Sequence, residues 1–262
     1  MTKQEFLKSL PGIKGISVVF SKTTRMPMVF CHEDTADDYI YIYLKEEDAL
    51  EKVRKLNDEK QPAFAVHCIE KEIIPFLAEL RLLGVNAIYV VCSKEDEDQQ
   101  FLVQLTEFLR YPDYNSLPQE KRPVENPSLH LSMLYFMQEL RKPAENEAKK
   151  NLTELEEETG ANIVRAKFLI PVQDVKEGEE ANKRAVLLLK NEKGDVFIPL
   201  FTDGGQLRKF LKDQKCPIMV CGFDMVSDML DKGNATGILI NPSTANVALS
   251  KSGVAALKQR FC

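Results

Sequence analysis

The chain lacks most of the features that announce a function. Its 12 glycines and 13 prolines in 262 residues are too few for a collagen-like or low-complexity protein. No apolar run approaches the roughly 20 residues a membrane-spanning helix needs, which argues against insertion in a membrane. There is no basic excess. With 35 Lys and Arg against 40 Asp and Glu, the formal net charge is -5, and a general nucleic-acid binder would carry a basic field instead. Residues 1–20 do not read as a secretory signal, because Lys3, Glu5, Lys8 and Lys14 interrupt the apolar positions. The cysteines at 31, 68, 92, 216, 221 and 262 form no close pair and no disulfide framework. The expectation is a cytoplasmic protein with free thiols. Neither GxGxxG nor GxxxxGK[ST] occurs, so nucleotide binding has no support.

What remains is an ordinary soluble composition, 44% hydrophobic and 29% charged, in a chain long enough for one large domain or two small ones. Short β-branched runs at 16–20 and 26–30 predict two strands joined by a hairpin-like loop. Residues 39–44 (YIYIYL) predict a central strand. From Glu46 the period changes, with Ala49, Leu50, Val53 and Leu56 at helical spacing. A strand at 63–69, a helix at 71–83 ending on Gly84, a strand at 87–92 and a helix at 96–110 complete the first half. Residues 111–127 hold four of the prolines and predict a linker. A helix at 128–141 capped by Ser128 and a solvated helix at 144–159 ending at Gly160 follow. Beyond it come a strand at 163–172, a polar loop at 173–183 and strands at 185–190 and 196–201 around a turn at Gly194. Then come helix 203–213, strand 217–221, helix 223–231, strand 237–240, strand 246–249 and helix 252–260.

The two halves repeat this order. YIYIYL leads through a helix with Leu50 to AFAVHC, a helix and AIYV; VFIPLF leads through a helix with Leu207 to PIMVC, a helix and GILI. A repeat changes the reading of the whole fold. The expected class is α/β with α+β character: two related mixed-sheet units, each a hairpin followed by alternating strands and helices. The expected domains are 1–115, a diverged repeat, and 128–262.

The second half carries more specific motifs. KFLIP lies at 167–171, AVLLLKNEKGDVFIPLFTDGGQLRKFL at 185–211 and GILINPSTANVALS at 237–250. Together they resemble the SseB family, bacterial proteins named for enhanced serine sensitivity. Related domains occur near some secretion systems. The matching elements are Pro199-Leu200-Phe201-Thr202, then Asp203 and Leu207, then Ile240-Asn241-Pro242. The first half departs from them, with Tyr41-Ile42-Tyr43-Leu44 and Cys92-Ser93 at the corresponding places. The resemblance implies a fold and a lineage; it implies no reaction.

Two candidate sites follow. Thr202 and Asp203 stand at a strand-to-helix junction, where they read as an N-cap or, more sharply, as part of an anion site. Asn241 and Pro242 read as turn residues or as groups facing a crevice at a strand end. Cys31-His32 and His67-Cys68 would pair a thiol with an imidazole if their strands approach each other. Their spacing does not suit zinc, and His130 reads as an ordinary helix residue. The leading expectation is a non-catalytic interaction or regulatory protein. It would bind a protein or peptide partner at the exposed strand ends near Phe201, Thr202, Asp203, Asn241 and Pro242, with no cofactor, metal or nucleic acid. The alternative is a thiol-dependent enzyme using a Cys–His pair. Sheet-edge pairing into a homo-oligomer fits either.

Overall fold

The computed structural model describes residues 1–140, 151–174, 184–212 and 214–262. They divide into two compact units. Unit 1 is Met1–Asp113 with Leu134–Leu152, and unit 2 is Tyr114–Met133 with Thr153–Cys262.

Unit 1 begins with helix α1 (Lys3–Ser9), where Thr2 and Glu5 form a reciprocal capping box. Strands β1 (Gly15–Ser21), β2 (Phe30–Cys31) and β3 (Asp38–Tyr43) follow, then helix α2 (Glu46–Asp58), β4 (Ala63–Ile69), helix α3 (Glu70–Glu79), β5 (Ala87–Val91) and β6 (Gln100–Gln104). The sheet order is β4-β1-β3-β5-β6, with β2 also on β3. Only β3 and β5 run parallel, Ile40 opposite Ile88 and Ile42 opposite Val90. In β3 the pleat sends Ile40 and Ile42 to one face and the tyrosines to the other. The tyrosine face packs on α2, with Tyr43, Ala49, Leu56 and Val91 in one cluster.

Three expectations in this unit are corrected. The expected helix 96–110 is a short turn and then β6, antiparallel to β5. Phe101, Val103 and Leu105 alternate as a strand requires, while Phe101, Leu105 and Phe108 also satisfy a helical period; a run this short does not separate the two. Pairing along β5 decides it. The strand expected at 26–30 is mostly irregular: Phe20 and Pro27 form an isolated bridge, and only Phe30 and Cys31 join the sheet. Leu50 is exposed, whereas Ala49 on the neighbouring helical face is buried. Gly84, at φ +81°, ends the turn after α3 as expected.

Helix α4 (Pro127–Leu140) starts one residue before the expected cap, so Ser128 lies in its first turn. Proline at the first position loses no helical hydrogen bond. Gln138 exchanges hydrogen bonds with the backbone of Val29 at 3.0 and 2.9 Å, and the Tyr135 hydroxyl donates to Asp38 at 2.6 Å.

Unit 2 continues with α5 (Leu152–Arg165), β7 (Lys167–Asp174), β8 (Arg184–Val186), β9 (Leu189–Lys190), β10 (Val196–Leu200), α6 (Gly204–Leu211), β11 (Ile218–Gly222), α7 (Phe223–Lys232), β12 (Gly237–Ile240), β13 (Val247–Ser250) and α8 (Lys251–Phe261). The expected helix stretch 144–150 and loop stretch 175–183 fall outside the described residues. The expected stop at Gly160 is corrected. Gly160 sits within α5, where a Cβ would come within 2.8 Å of Leu257 and 3.1 Å of Phe261 on α8. Glycine here serves close helix packing. The strand expected at 185–190 is two strands, β8 on β7 and β9 on β10. The turn between β9 and β10 places Gly194 at φ +92°, and Asn191 and Asp195 close it with paired hydrogen bonds.

Strands pair as β13-β12-β10-β9 and β11-β7-β8. A bridge from Leu169 to Phe201 links β7 to the residue after β10, with bonds of 2.9 and 3.0 Å. Read across that bridge, the order β11-β7-β10-β12-β13 is the order β4-β1-β3-β5-β6 of unit 1. The central pair is parallel in both. The fold is α/β, built from two mixed-sheet units of the same strand order.

Gly237 stands where β12 meets β13, and a Cβ there would run into the Leu249 carbonyl and the Phe197 ring. Because the obstacle is backbone, Gly237→Ala is expected to cost about 1–3 kcal/mol, read as an earlier urea midpoint with an unchanged slope.

Candidate functional site

Phe201, Thr202, Asp203 and Asn241 come together at the end of the β10–β12 ladder. Parallel pairing stops at Leu200 opposite Ile240. Beyond it Asn241 turns into the left-handed region at φ +49°, a conformation asparagine tolerates better than most side chains. Its backbone N–H still reaches the Leu200 carbonyl at 2.9 Å. Its side chain then takes over the pairing. Oδ1 accepts from the Thr202 N–H at 3.1 Å, and Nδ2 donates to Thr202 Oγ1 at 2.9 Å. The Thr202 hydroxyl donates in turn to Asp203 Oδ2 at 2.8 Å. Asp203 Oδ1 caps α6 by accepting from the Gln206 N–H at 2.9 Å, as the N-cap reading expects.

Two further groups are bonded into this chain and a third stands beside it. Thr244, in the turn after Asn241, donates to Gln206 Oε1 at 2.6 Å. Asn126 Nδ2 reaches the carbonyls of Thr202 at 2.6 Å and Lys167 at 2.7 Å. His130 Nδ1 stands 3.7 Å from Asp203 Oδ2, and both residues are buried. None of the three was marked in the sequence as a site residue. Asn126 carried a signal, since Asn directly before Pro127 marks a helix start; Thr244 and His130 carried none.

The expected exposure of these strand ends is corrected. Phe201 and Thr202 are 0% exposed, Asn241 1% and Asp203 2%. Phe201 is packed, its ring 5.1 Å from that of Phe210. Only Pro242 is half-buried. Thr202, Asp203 and Asn241 each spend hydrogen bonds on buried neighbours, so the network fixes geometry.

A solvent-facing feature lies beside it. An open cavity of about 760 Å³ is lined by residues 119, 120 and 122–126, with Arg165, Lys167 and Val220, all in unit 2. Arg122, Arg165 and Lys167 give it three cations, set against Glu120 and Glu125. The Arg122 guanidinium is held in place by the carbonyls of Leu117 at 2.9 Å and Asn115 at 2.8 Å. Val220, on β11, is 52% exposed. Asn126 lines the cavity and also bonds Thr202, so the groove wall and the buried network share a residue.

The thiol and imidazole pairs do not meet. Cys31 is on β2, which pairs with β3, and His67 is on β4, which pairs with β1. His67 contacts Ser17 instead, at 3.3 Å. Burial raises the thiol pKa of Cys68 and Cys92, and burial with the nearby Asp38 and Asp37 raises that of Cys31. Burial pushes Cys221 up to about 11. Among the described residues no cluster of His, Cys, Asp and Glu could hold a metal ion. No helix there is long and apolar enough to cross a membrane.

These motifs have a counterpart in a known family. Residues 144–256 match the family model of the SseB protein N-terminal domain. The SseB-like stretch holds β10, the α6 cap, Asn241 and the β11 edge, and it leaves out unit 1 up to Asp113. No curated protein matches the chain. Two solved structures align over nearly its whole length. Tic22 from Plasmodium falciparum is 11% identical, covering 98% of this chain and 96% of that one at a TM-score of 0.25. Anabaena Tic22, a protein-transport structure, is 13% identical, covering 100% and 98% at a TM-score of 0.24. At these scores the likeness carries no conclusion.

Two expected outcomes follow. Asn241→Ala is expected to destabilise by about 2–3 kcal/mol, because it orphans the Thr202 N–H and strains a left-handed residue. Asn241→Gly removes the same bonds without the strain, so its urea midpoint should fall between those of wild type and Asn241→Ala. The Cys221 thiol ionises near 9 in the unfolded chain and about 11 in the folded one. Its proton is thus held more tightly in the native state, and its contribution to stability is lost as pH rises through that window. The measured fall in stability should be shallower in Cys221→Ala, and iodoacetamide at pH 8 should label Cys221 only as fast as the protein unfolds.

Proposed function

We propose that this is a non-catalytic, SseB-like interaction protein of the bacterial cytoplasm, built from two repeats of one mixed-sheet unit. Its second unit binds a protein partner beside Phe201, Thr202, Asp203, Asn241 and Pro242. The partner presents an acidic, extended segment to the groove next to these strand ends. One observation carries the reading: Arg122, Arg165 and Lys167 surround an open cavity floored in part by the exposed Val220. Three cations against the two carboxylates of Glu120 and Glu125 leave the lining net positive, which favours a partner of the opposite charge.

In this reading the buried network is a positioning device. Thr202 and Asn241 hold the ends of β10 and β12, and Asn126 transmits that geometry to the groove wall. Pro242 is the member of the set that can itself be touched. The repeated strand order supports a duplicated origin, and the SseB match over the second unit supports placing the site there. A thiol-dependent reaction is disfavoured by the raised thiol pKa of Cys31 and Cys68, caused by burial and neighbouring carboxylates.

The test uses a fluorescently labelled Glu/Asp-rich decapeptide as probe. Wild-type chain should bind it with an affinity that weakens as salt rises from about 0.05 to 0.3 M. Arg165→Glu with Lys167→Glu should weaken binding about tenfold or more at low salt, with an unchanged melting temperature. Equal binding by wild type and the charge-reversed variant would refute the groove.

A further inference from the structure

Unit 1 holds a second cavity, of about 340 Å³, between the tyrosine face of the sheet and α2. Its volume is many times the roughly 30 Å³ that a water occupies in the liquid. One wall is aromatic. Tyr41 and Tyr43 line it, their rings stacked at 5.9 Å, and Tyr41 also contacts Phe30 at 5.0 Å and Tyr89 at 5.2 Å. The rest of the lining is Asp48, Glu51, Lys52 and Lys55 of α2, with Val91, Lys94, Glu95 and Gln100.

Asp48 is the unusual member. It is 7% exposed, and its Oδ2 is sealed from water with no hydrogen-bond partner. A buried carboxylate needs a positive charge or donors to offset the loss of water. Its place in the first turn of α2 gives a partial answer through the helix dipole. The three lysines of the lining each have a contact other than Asp48. Glu51 holds Lys55 through one oxygen at 3.2 Å and Lys94 through the other. Lys52 lies over the rings, its Nζ 5.0 Å from the centre of Tyr41 and 5.5 Å from that of Phe30.

That last contact shows what the aromatic wall can hold. The ring faces attract an ammonium group, and the chain's own Lys52 occupies part of that surface. We propose that this cavity is a binding site for an alkylammonium group, stacked on Tyr41 and Tyr43 with the buried Asp48 carboxylate as its counter-charge, and with Lys52 as a built-in competitor. The group can arrive on a free aliphatic amine or on a lysine side chain of a peptide. A recognition of this kind combines ring quadrupole and carboxylate, each weak in water and stronger where water is excluded. The site lies wholly in unit 1, so it stands or falls apart from the groove of unit 2.

The experiment is NMR titration of the full chain with three probes: n-butylammonium chloride, the peptide acetyl-Gly-Lys-Gly-amide, and n-butanol as the uncharged control. Tyr41 and Tyr43 ring signals should shift with the ammonium probes and stay still with butanol. Tighter binding of the peptide than of the amine assigns the site to lysine side chains, and the reverse assigns it to free amines. Asp48→Asn should weaken butylammonium binding about tenfold. It should melt no lower than wild type, because it removes a buried charge and no bond. Lys52→Met should bind about twofold to fivefold tighter, since it frees the ring faces. The proposal is overturned if butylammonium moves no ring signal, if butanol moves the same signals, or if Asp48→Asn binds as wild type does.

Discussion

The side chain of Asn241 does in unit 2 what a backbone would otherwise do. Parallel strands β10 and β12 stop pairing at Leu200 and Ile240, and the chain then turns away in a left-handed conformation. The amide of Asn241 spans the gap to Thr202, accepting from its N–H and donating to its hydroxyl. From Thr202 the bonds run to Asp203, the first turn of α6, Gln206 and Thr244. One side-chain pair thereby ties strand end, helix start and turn together. All of it is buried, where an unmade hydrogen bond is costly and a complete set is rigid.

Unit 1 solves the same problem without a side chain. At the equivalent point the strand simply continues, and the Leu44 N–H donates to the Val91 carbonyl at 3.1 Å. Tyr43 and Val91 remain paired. Lys45 precedes α2 and offers it no side-chain cap. The absence of the Pro-x-Phe-Thr and Asn-Pro motifs from the first half therefore has a structural counterpart. Where the motif is missing, the backbone ladder runs one residue further.

Much of this was legible in the sequence, for physical reasons. Alternation in YIYIYL, the Asp203 cap, the Gly84 and Gly194 turns and the parallel ILI segment are local signals, and local signals survive folding. The reading failed where the decision was made at a distance. Residues 100–104 satisfy helix and strand periods alike, and β5 settles the matter. Gly160 looked like a stop because its reason, the approach of Leu257 and Phe261, lies almost a hundred residues away in the chain. The site residues were brought together as read, yet exposure could not be read from them. Polar residues at a strand end look the same whether they face water or one another. The cations of the groove come from a loop, the end of α5 and the start of β7, and no spacing in the chain links them.

The aromatic face of unit 1 also has an optical consequence. The chain has no tryptophan and seven tyrosines, and six of those, at 39, 41, 43, 89, 111 and 135, lie in unit 1. Unit 2 has only Tyr114. Tyrosine emission and the tyrosine band of the near-ultraviolet dichroism therefore report on one unit almost alone, while far-ultraviolet dichroism reports on both. A single sample heated once thus yields two melting curves, and any gap between their midpoints means that the two units melt at different temperatures.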